Sequence, residues 1–445
     1  MEDDILFPTA IGCDVHQKTL VCHCKQEVTG TLKNFKATFS TNYNELPKFV
    51  DWCSQYKPDT ILLESTGIYW CTPFDALEEA HLPVCIVNPA HIKRMIGRKT
   101  DTADAEWLAK VGRCGSFIPS YIPTKEYREL RVLSRNITKL TAEMQSYKNR
   151  ENKFFVEAGY RLHIFSDQFG KAATLAKNMI LEGKTPEEIV AAIRASKIKK
   201  LKATDEELLD AFHGSMATPI RMAIMDCRDS LASAQEKREK EVDFLINEVK
   251  RLDYKNFHLL LTIPGISELS AATILVEYGG GENFLVHFGN AKRAASWSGM
   301  APGNNESGGK RFSGRSRKGN KTLRRTYCEA AQAAIKTKGT TLRSKYESLK
   351  CRLGFKRAVF AIGKKLCQLV YTVLRNGAPY RDPSIDYQEI SFKKNAARWA
   401  KAFFNYMGLE VNFTKKDTGE VVARSNRDVI CVSQNLLNLI NKKRN

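Results

Sequence analysis

The chain contains no apolar run near the ~20 residues that a membrane-spanning helix requires, which argues against a transmembrane protein. Its first residues, MEDDILF, are acidic and lack the basic-then-apolar layout of a secretory signal, so a cytoplasmic protein is expected. Zinc-ligand spacing is also missing. Cys22 and Cys24 flank His23, but no CxxC pair follows. The twelve cysteines therefore read as small buried hydrophobes in a reducing compartment, with Cys22 and Cys24 on one face of a strand. Acids are the other shortage: 49 Asp and Glu stand against 70 Lys and Arg, a net charge of +21. An excess of this size implies a polyanionic partner, with nucleic acid ahead of an acidic membrane surface.

What is present is enough chain for about three domains of 150 residues in its 445 residues. PTAIGCDV (8–15), TLVCHCK (19–25) and FKATFST (35–41) read as three strands. Helical spacing over 43–56, a short apolar run DTILLES (59–65), a helix over 71–80 and a strand LPVCIVN (82–88) follow. A further helix starts near Thr102. A meander followed by alternating crossovers predicts a mixed sheet with helices on its faces. From 125 to 158, Leu130, Leu133, Ile137, Leu140, Met144 and Tyr147 step by three and four. That is a heptad seam able to pair with a second long helical stretch over 219–253, or to recruit a second copy of the chain. The segment 160–218 would then be the tip of an antiparallel pair.

A third unit begins near 256. LLLTIPGISELSAATILVEYG (259–279) reads as helix, tight Pro-Gly turn, helix. The turn serves either as an anion site at a helix N-terminus or simply as a core-packing corner. Helices are expected over 321–337 and 355–376. The tail from 380 reads as a separate piece, with 408–423 as a candidate hairpin.

Two groups of residues carry chemistry. In the first, Asp14 and Glu64 end strands, while Asp101 and Asp104 lie three apart on one helix face. Singly, each acid reads as a solvated strand end or a helix-dipole partner. Together they form an anionic cluster whose mutual repulsion a divalent cation would relieve. Two such cations could clamp a phosphodiester. In the second, residues 301–320, APGNNESGGKRFSGRSRKGN, set Ser307 before two glycines and a run of cations. The composition suggests a mobile loop that meets a polyanion. Ser307 is either a phosphate contact or a reagent, with Ser298, Ser313 and Ser316 as nearby rivals.

Five stretches, in order, resemble the motifs of Piv/MooV-type DNA invertases and insertion-sequence family 110 transposases. They are IGCDVHQKTL, LLESTGIYW, VNPAHIKRMIGRKTDTADAEWLA, TIPGISELSAA and SGMAPGNNESGGKRFSGRSRKGNKTLRR. The resemblance spans about residues 8–375. It implies an α/β plus all-α protein: an RNase H-like (RuvC-like) domain over 1–120, coiled-coil helices over 121–255, a helical transposase domain over 256–380, and an extension over 381–445.

It further implies that Asp14, Glu64, Asp101 and Asp104 are the family's catalytic, metal-holding D-E-D-D set, for Mg²⁺ or Mn²⁺. Ser307 falls on the family serine that becomes a 5′-phosphoserine. Implied partners are donor and target DNA and a structured bridge RNA that pairs with both. Implied assembly is a homodimer that forms a tetramer on DNA. Lys310, Arg311, Arg315, Arg317, Lys318, Lys321, Arg324 and Arg325 are expected to neutralise phosphates. A water-using RuvC-like junction nuclease and a site-specific invertase remain alternatives. So does a nucleic-acid-binding protein in which the acids are structural.

Overall fold

The computed structural model describes residues 5–64, 67–88, 104–196, 201–303, 305–407, 413–414 and 421–423. The chain divides into two compact units, residues 1–130 and 131–445. No helix among the described residues is long and apolar enough to cross a membrane.

The first unit is built on a five-stranded sheet. The strands are β1 (Thr9–Val15), β2 (Thr19–Val28), β3 (Thr31–Ser40), β4 (Thr60–Glu64) and β5 (Val84–Val87), in the spatial order β3-β2-β1-β4-β5. β1 pairs antiparallel with β2, and β2 with β3. β4 runs parallel to both β1 and β5. Short turns suffice for the meander, whereas each parallel step needs a crossover, supplied by α1 (Leu46–Ser54) and α2 (Cys71–Glu79). The alternation of elements predicted this mixed sheet, and its strand order is that of the RNase H-like fold that the resemblance implied.

Period-two alternation sorts the side chains between two layers. Ile11, Cys13, Val15, Ile61 and Leu63 face α1 and α2, packing on Phe49, Phe74 and Leu77. Leu62 and Val87 face the other way, onto Trp107, Leu108 and Val111 of α3 (Asp104–Arg113). Cys13, Cys22, Cys24 and Cys53 are buried, and burial raises their thiol pKa values, so these cysteines act as core residues. Cys71 and Cys351 are exposed and depart from that expectation.

One close approach decides where α3 lies. A Cβ added at Gly12 would stand 2.2 Å from the Ala105 carbonyl oxygen and 2.4 Å from the Ala109 nitrogen. Only glycine lets the helix backbone rest directly on β1.

In the second unit, the rest of α4 (Lys125–Glu157) pairs with α8 (Thr218–Leu261). Asn136 donates to Glu241, Arg238 to Thr141, and Arg228 to Glu151. Partner numbers fall on α8 as they rise on α4, so the pair is antiparallel, as the heptad spacing allowed. Its tip is a small helical body: α5 (Lys171–Leu181), α6 (Pro186–Ala195) and α7 (Asp205–Ala211) close around Phe155, Leu162, Ile180, Ile193 and Phe212. α6 and α7 each start with a complete capping box, Thr185/Glu188 and Thr204/Glu207.

Helices α9 (Glu268–Tyr278), α10 (Gly281–Phe288), α11 (Ala291–Trp297), α12 (Lys321–Ala334) and α13 (Thr341–Asn376) form the remaining core. α13 begins fourteen residues before the expected 355, and a break at Gly354 divides it. The tail is stitched to this core rather than separate. Asp382 accepts from the Thr341 amide and hydroxyl, and α14 (Tyr387–Tyr406) follows. The expected hairpin pairs Phe413–Thr414 with Val421–Ala423.

Gly12→Ala is expected to cost about 1–3 kcal/mol through overpacking against α3, read as a lower denaturation midpoint of the first unit. His23 is buried against Asn34, and burial lowers its pKa. The unfolded chain therefore takes the proton first as pH falls, and stability drops below about pH 6.5. His23→Asn should flatten the melting temperature between pH 7 and 5.5, leaving His287, whose burial acts with the same sign.

Candidate active site

Asp14 and Glu64 owe their proximity to strand register. β1 and β4 pair through Gly12↔Leu62 and Cys13↔Leu63, so the next step sets Asp14 beside Glu64. Neighbouring strands are ~4.8 Å apart. Gly12 and Leu62 both contact α3, and one pleat period further the same face carries the two acids. Asp104 is the first residue of α3, next to Ala105, which Gly12 touches. Three of the four expected acids thus converge on one corner of the sheet. Asp101 lies outside the described residues.

Within that corner Asp14 Oδ2 lies 3.0 Å from His16 Nε2, a neighbour absent from the sequence expectation. Glu106 takes no part: Lys25, Lys36 and His23 surround it, and the Lys25 hydrogen bond holds its pKa below the usual value. Among the described residues no three His, Cys, Asp or Glu side chains already close on a single point. The donor set is nevertheless carboxylate oxygen, the chemistry that fits a hard divalent cation.

The serine segment contains a hairpin that its composition did not suggest. β6 (Asn305–Ser307) pairs antiparallel with β7 (Lys310–Ser313), and Ser307↔Lys310 is the closing pair. Gly308 and Gly309 have φ of +55° and +73°, the left-handed pair that a two-residue type I′ turn demands. The side chains of Ser307, Arg311 and Ser313 lie outside the described residues. Below the turn, the Arg317 amide donates to Ala301 and the Asn320 amide to Trp297. Gly319 presses on Gly299, where a Cβ would meet backbone nitrogen at 2.4 Å. Ser298, one of the rivals, is fully buried and donates to the Ala295 carbonyl, so it is unavailable as a nucleophile.

Of the expected phosphate-binding cations, Lys310, Arg315, Arg317, Lys318, Lys321 and Arg324 are exposed. Arg325 pairs with Glu329. The Pro264–Gly265 turn is a packing corner: a Cβ at Gly265 would stand 2.3 Å from the Ala330 carbonyl, and Ser267 caps α9.

Sequence reasoning missed what holds the arm. Glu277 is fully buried on α9. Its carboxylate receives Arg135 at 3.0 and 3.1 Å and Asn320 Nδ2 at 2.7 Å, while Arg131 donates to its backbone carbonyl. Arg131 also lies over the Trp297 ring. Asn320 is both the arm's last residue and the N-cap of α12. The only signal in the sequence was one acid in the apolar run SAATILVEYG; its partners are distant in the chain. Glu277→Ala should leave the arginines uncompensated and cost about 2–3 kcal/mol, a value discounted because Arg135 is half-exposed. Urea midpoints of the second unit would measure it.

Comparison with known proteins agrees with this layout. Residues 11–158 match a transposase model for the DEDD domain of IS110 elements, and residues 257–347 match the model "Transposase IS116/IS110/IS902 family". The two matches together take in more than half of the chain. The pilin gene-inverting proteins of Moraxella lacunata and Moraxella bovis are each 26% identical over 311 residues, covering 67% of this chain and 74% of theirs. A Thermus thermophilus RuvC structure aligns with 25% of this chain and 99% of its own, at 16% identity and a TM-score of 0.20. The fold assignment rests on the strand order instead. The sheet-corner acids fall within one family model and the serine arm within the other, and the chain belongs to the IS110 family of DNA transposases and invertases.

Proposed function

We propose that this recombinase cuts and rejoins DNA through a covalent phosphoserine at Ser307, with Asp14, Glu64, Asp101 and Asp104 holding Mg²⁺ or Mn²⁺. The observation that carries the reading is the Ser307–Gly308–Gly309–Lys310 turn at the end of a braced arm. A nucleophile must come to within bonding distance of a backbone phosphate, and a two-residue turn without side chains at its centre lets backbone approach closely. Exposed cations along the arm and at the start of α12 suit the flanking phosphates.

The Ser307 hydroxyl oxygen attacks phosphorus and the bond to the 3′ oxygen breaks, the serine proton passing by way of solvent to that departing oxygen. A 5′-phosphoserine and a free 3′-hydroxyl result. Attack by a 3′-hydroxyl of another strand reverses the step and restores the serine, so no nucleotide is consumed. A serine hydroxyl is a weak nucleophile at neutral pH. Asp14, Glu64, Asp101 and Asp104 would hold a divalent cation, which would supply positive charge for the phosphoryl oxygens. Lys310 offers a further positive charge beside the turn.

The proposed division of labour follows the sequence: nuclease-like domain 1–120, coiled-coil region 121–255, transposase domain 256–380 and extension 381–445. Two chains pair and then assemble as a tetramer on donor and target DNA. A bridge RNA selects both DNAs, in keeping with a basic surplus of +21. Site-specific inversion is the second reading, favoured by the pilin gene-inverting relatives, and it uses the same chemistry.

Ser307→Ala should abolish both recombination and the covalent protein–DNA adduct seen after denaturing electrophoresis. Asp14→Ala and Glu64→Ala should lose strand cleavage altogether. Normal recombination by Ser307→Ala would overturn the nucleophile. Cleavage retained in that variant without any adduct would identify a nuclease that uses water. Full activity of RNA-free protein would remove the guide.

A further inference from the structure

Helix α13 does not run straight past its middle. Gly354 has φ +73° and ψ 171°, a left-handed conformation that breaks the helix. No atom would lie within 4 Å of an added Cβ there, so the break sits in open space. Immediately after it, Phe355 is 52% exposed, touching Tyr346 edge-on at 6.4 Å. Single exposed aromatics are ordinary on protein surfaces. The surroundings of this one are not.

From Lys350 to Lys365 the chain carries six cations and no acid. Arg352, Lys356 and Arg357 flank Phe355 and are exposed. Among the described residues this helix pairs cation with carboxylate at Arg343–Glu347, a turn and more away from the break. The positive surface is also continuous with the serine arm. Arg324, on the helix that Asn320 caps, lies 5.0 Å over the Phe360 ring of α13. Lys356 and Arg357 precede Phe360 by four and three residues and so share its face. Five residues of helix separate Phe355 from Phe360, ~7.5 Å of rise, about two nucleotide steps of a strand.

We infer that the break at Gly354 is a docking surface for an opened DNA strand, on which Phe355 stacks an unpaired base while Arg352, Lys356 and Arg357 hold the adjoining phosphates. Cations without acids select a polyanion, and a half-exposed aromatic ring selects a flat apolar group. A nucleic-acid strand offers both at the right spacing. The strand is DNA because the family recombines DNA, and it is opened because a duplex hides its base faces. This goes beyond the cleavage chemistry and is independent of Ser307.

The test is fluorescence anisotropy of the full chain with a mixed-sequence DNA 20-mer, its blunt duplex, and RNA of the same sequence. Phe355→Ala should weaken single-stranded DNA binding about tenfold and duplex binding less than about twofold, with Phe355→Trp retaining affinity. Lys356→Ala with Arg357→Ala should weaken both DNAs and reduce the salt slope by roughly 0.7–0.9 per cation. Wild-type affinity in Phe355→Ala would overturn the stacking role and leave the recombinase reading intact. So would rescue by Phe355→Leu equal to that by Trp, or equal loss on single strand and duplex. A loss confined to RNA would reassign the surface to RNA. Failure of the wild-type chain to bind any DNA would overturn both this inference and the recombinase reading.

Discussion

Parallel pairing of two strands in one register is the constraint on which the acidic corner depends. Once Cys13 stands against Leu63, Asp14 and Glu64 must be neighbours, because a parallel ladder advances both chains together. Two carboxylates at strand spacing repel each other, and a hydrophobic design would avoid the arrangement. The helix seated on β1 starts at the same end of the sheet with a third acid. Gly12 gives up its side chain so that α3 rests on β1, and α3 starts with Asp104. Sheet register, helix seating and charge placement are therefore one decision.

The second unit solves a different problem, how to hold a glycine-rich basic segment in a definite shape. Hairpin pairing orders its end, and glycine-on-glycine contact narrows its base. The base is then fixed to helices by a buried carboxylate with guanidinium and amide partners. A buried charge is stable only when its hydrogen-bonding capacity is met, and Glu277 meets it with groups from α4 and from the arm's own end. The arm thus has a rigid foot.

Charge divides in the same way. Several cations are spent on structure: Arg128 on Asp75 and Glu78, Arg131 and Arg135 on Glu277, Lys177 and Arg228 on Glu151. The arm, the start of α12 and the break in α13 hold exposed cations instead. Among the described residues, basic side chains thus serve both as paired structural groups and as exposed charge.

Much of the scaffold was legible in advance. Local pattern determined the strand meander, the parallel crossovers, the heptad helices and the core role of Cys13, Cys22 and Cys24, because each depends on residues close in the chain. Asp14 and Glu64 were legible as strand ends for the same reason. Composition did not reveal the hairpin within 301–320, since pairing between Ser307 and Lys310 leaves no apolar alternation to see. Glu277 with Arg131, Arg135 and Asn320, the seating of α3 on Gly12, the burial of Ser298 and the docking of the tail through Asp382 were decided only in three dimensions. Their partners lie tens to hundreds of residues apart, and contacts at that separation depend on how whole elements pack rather than on any periodicity a single segment can carry.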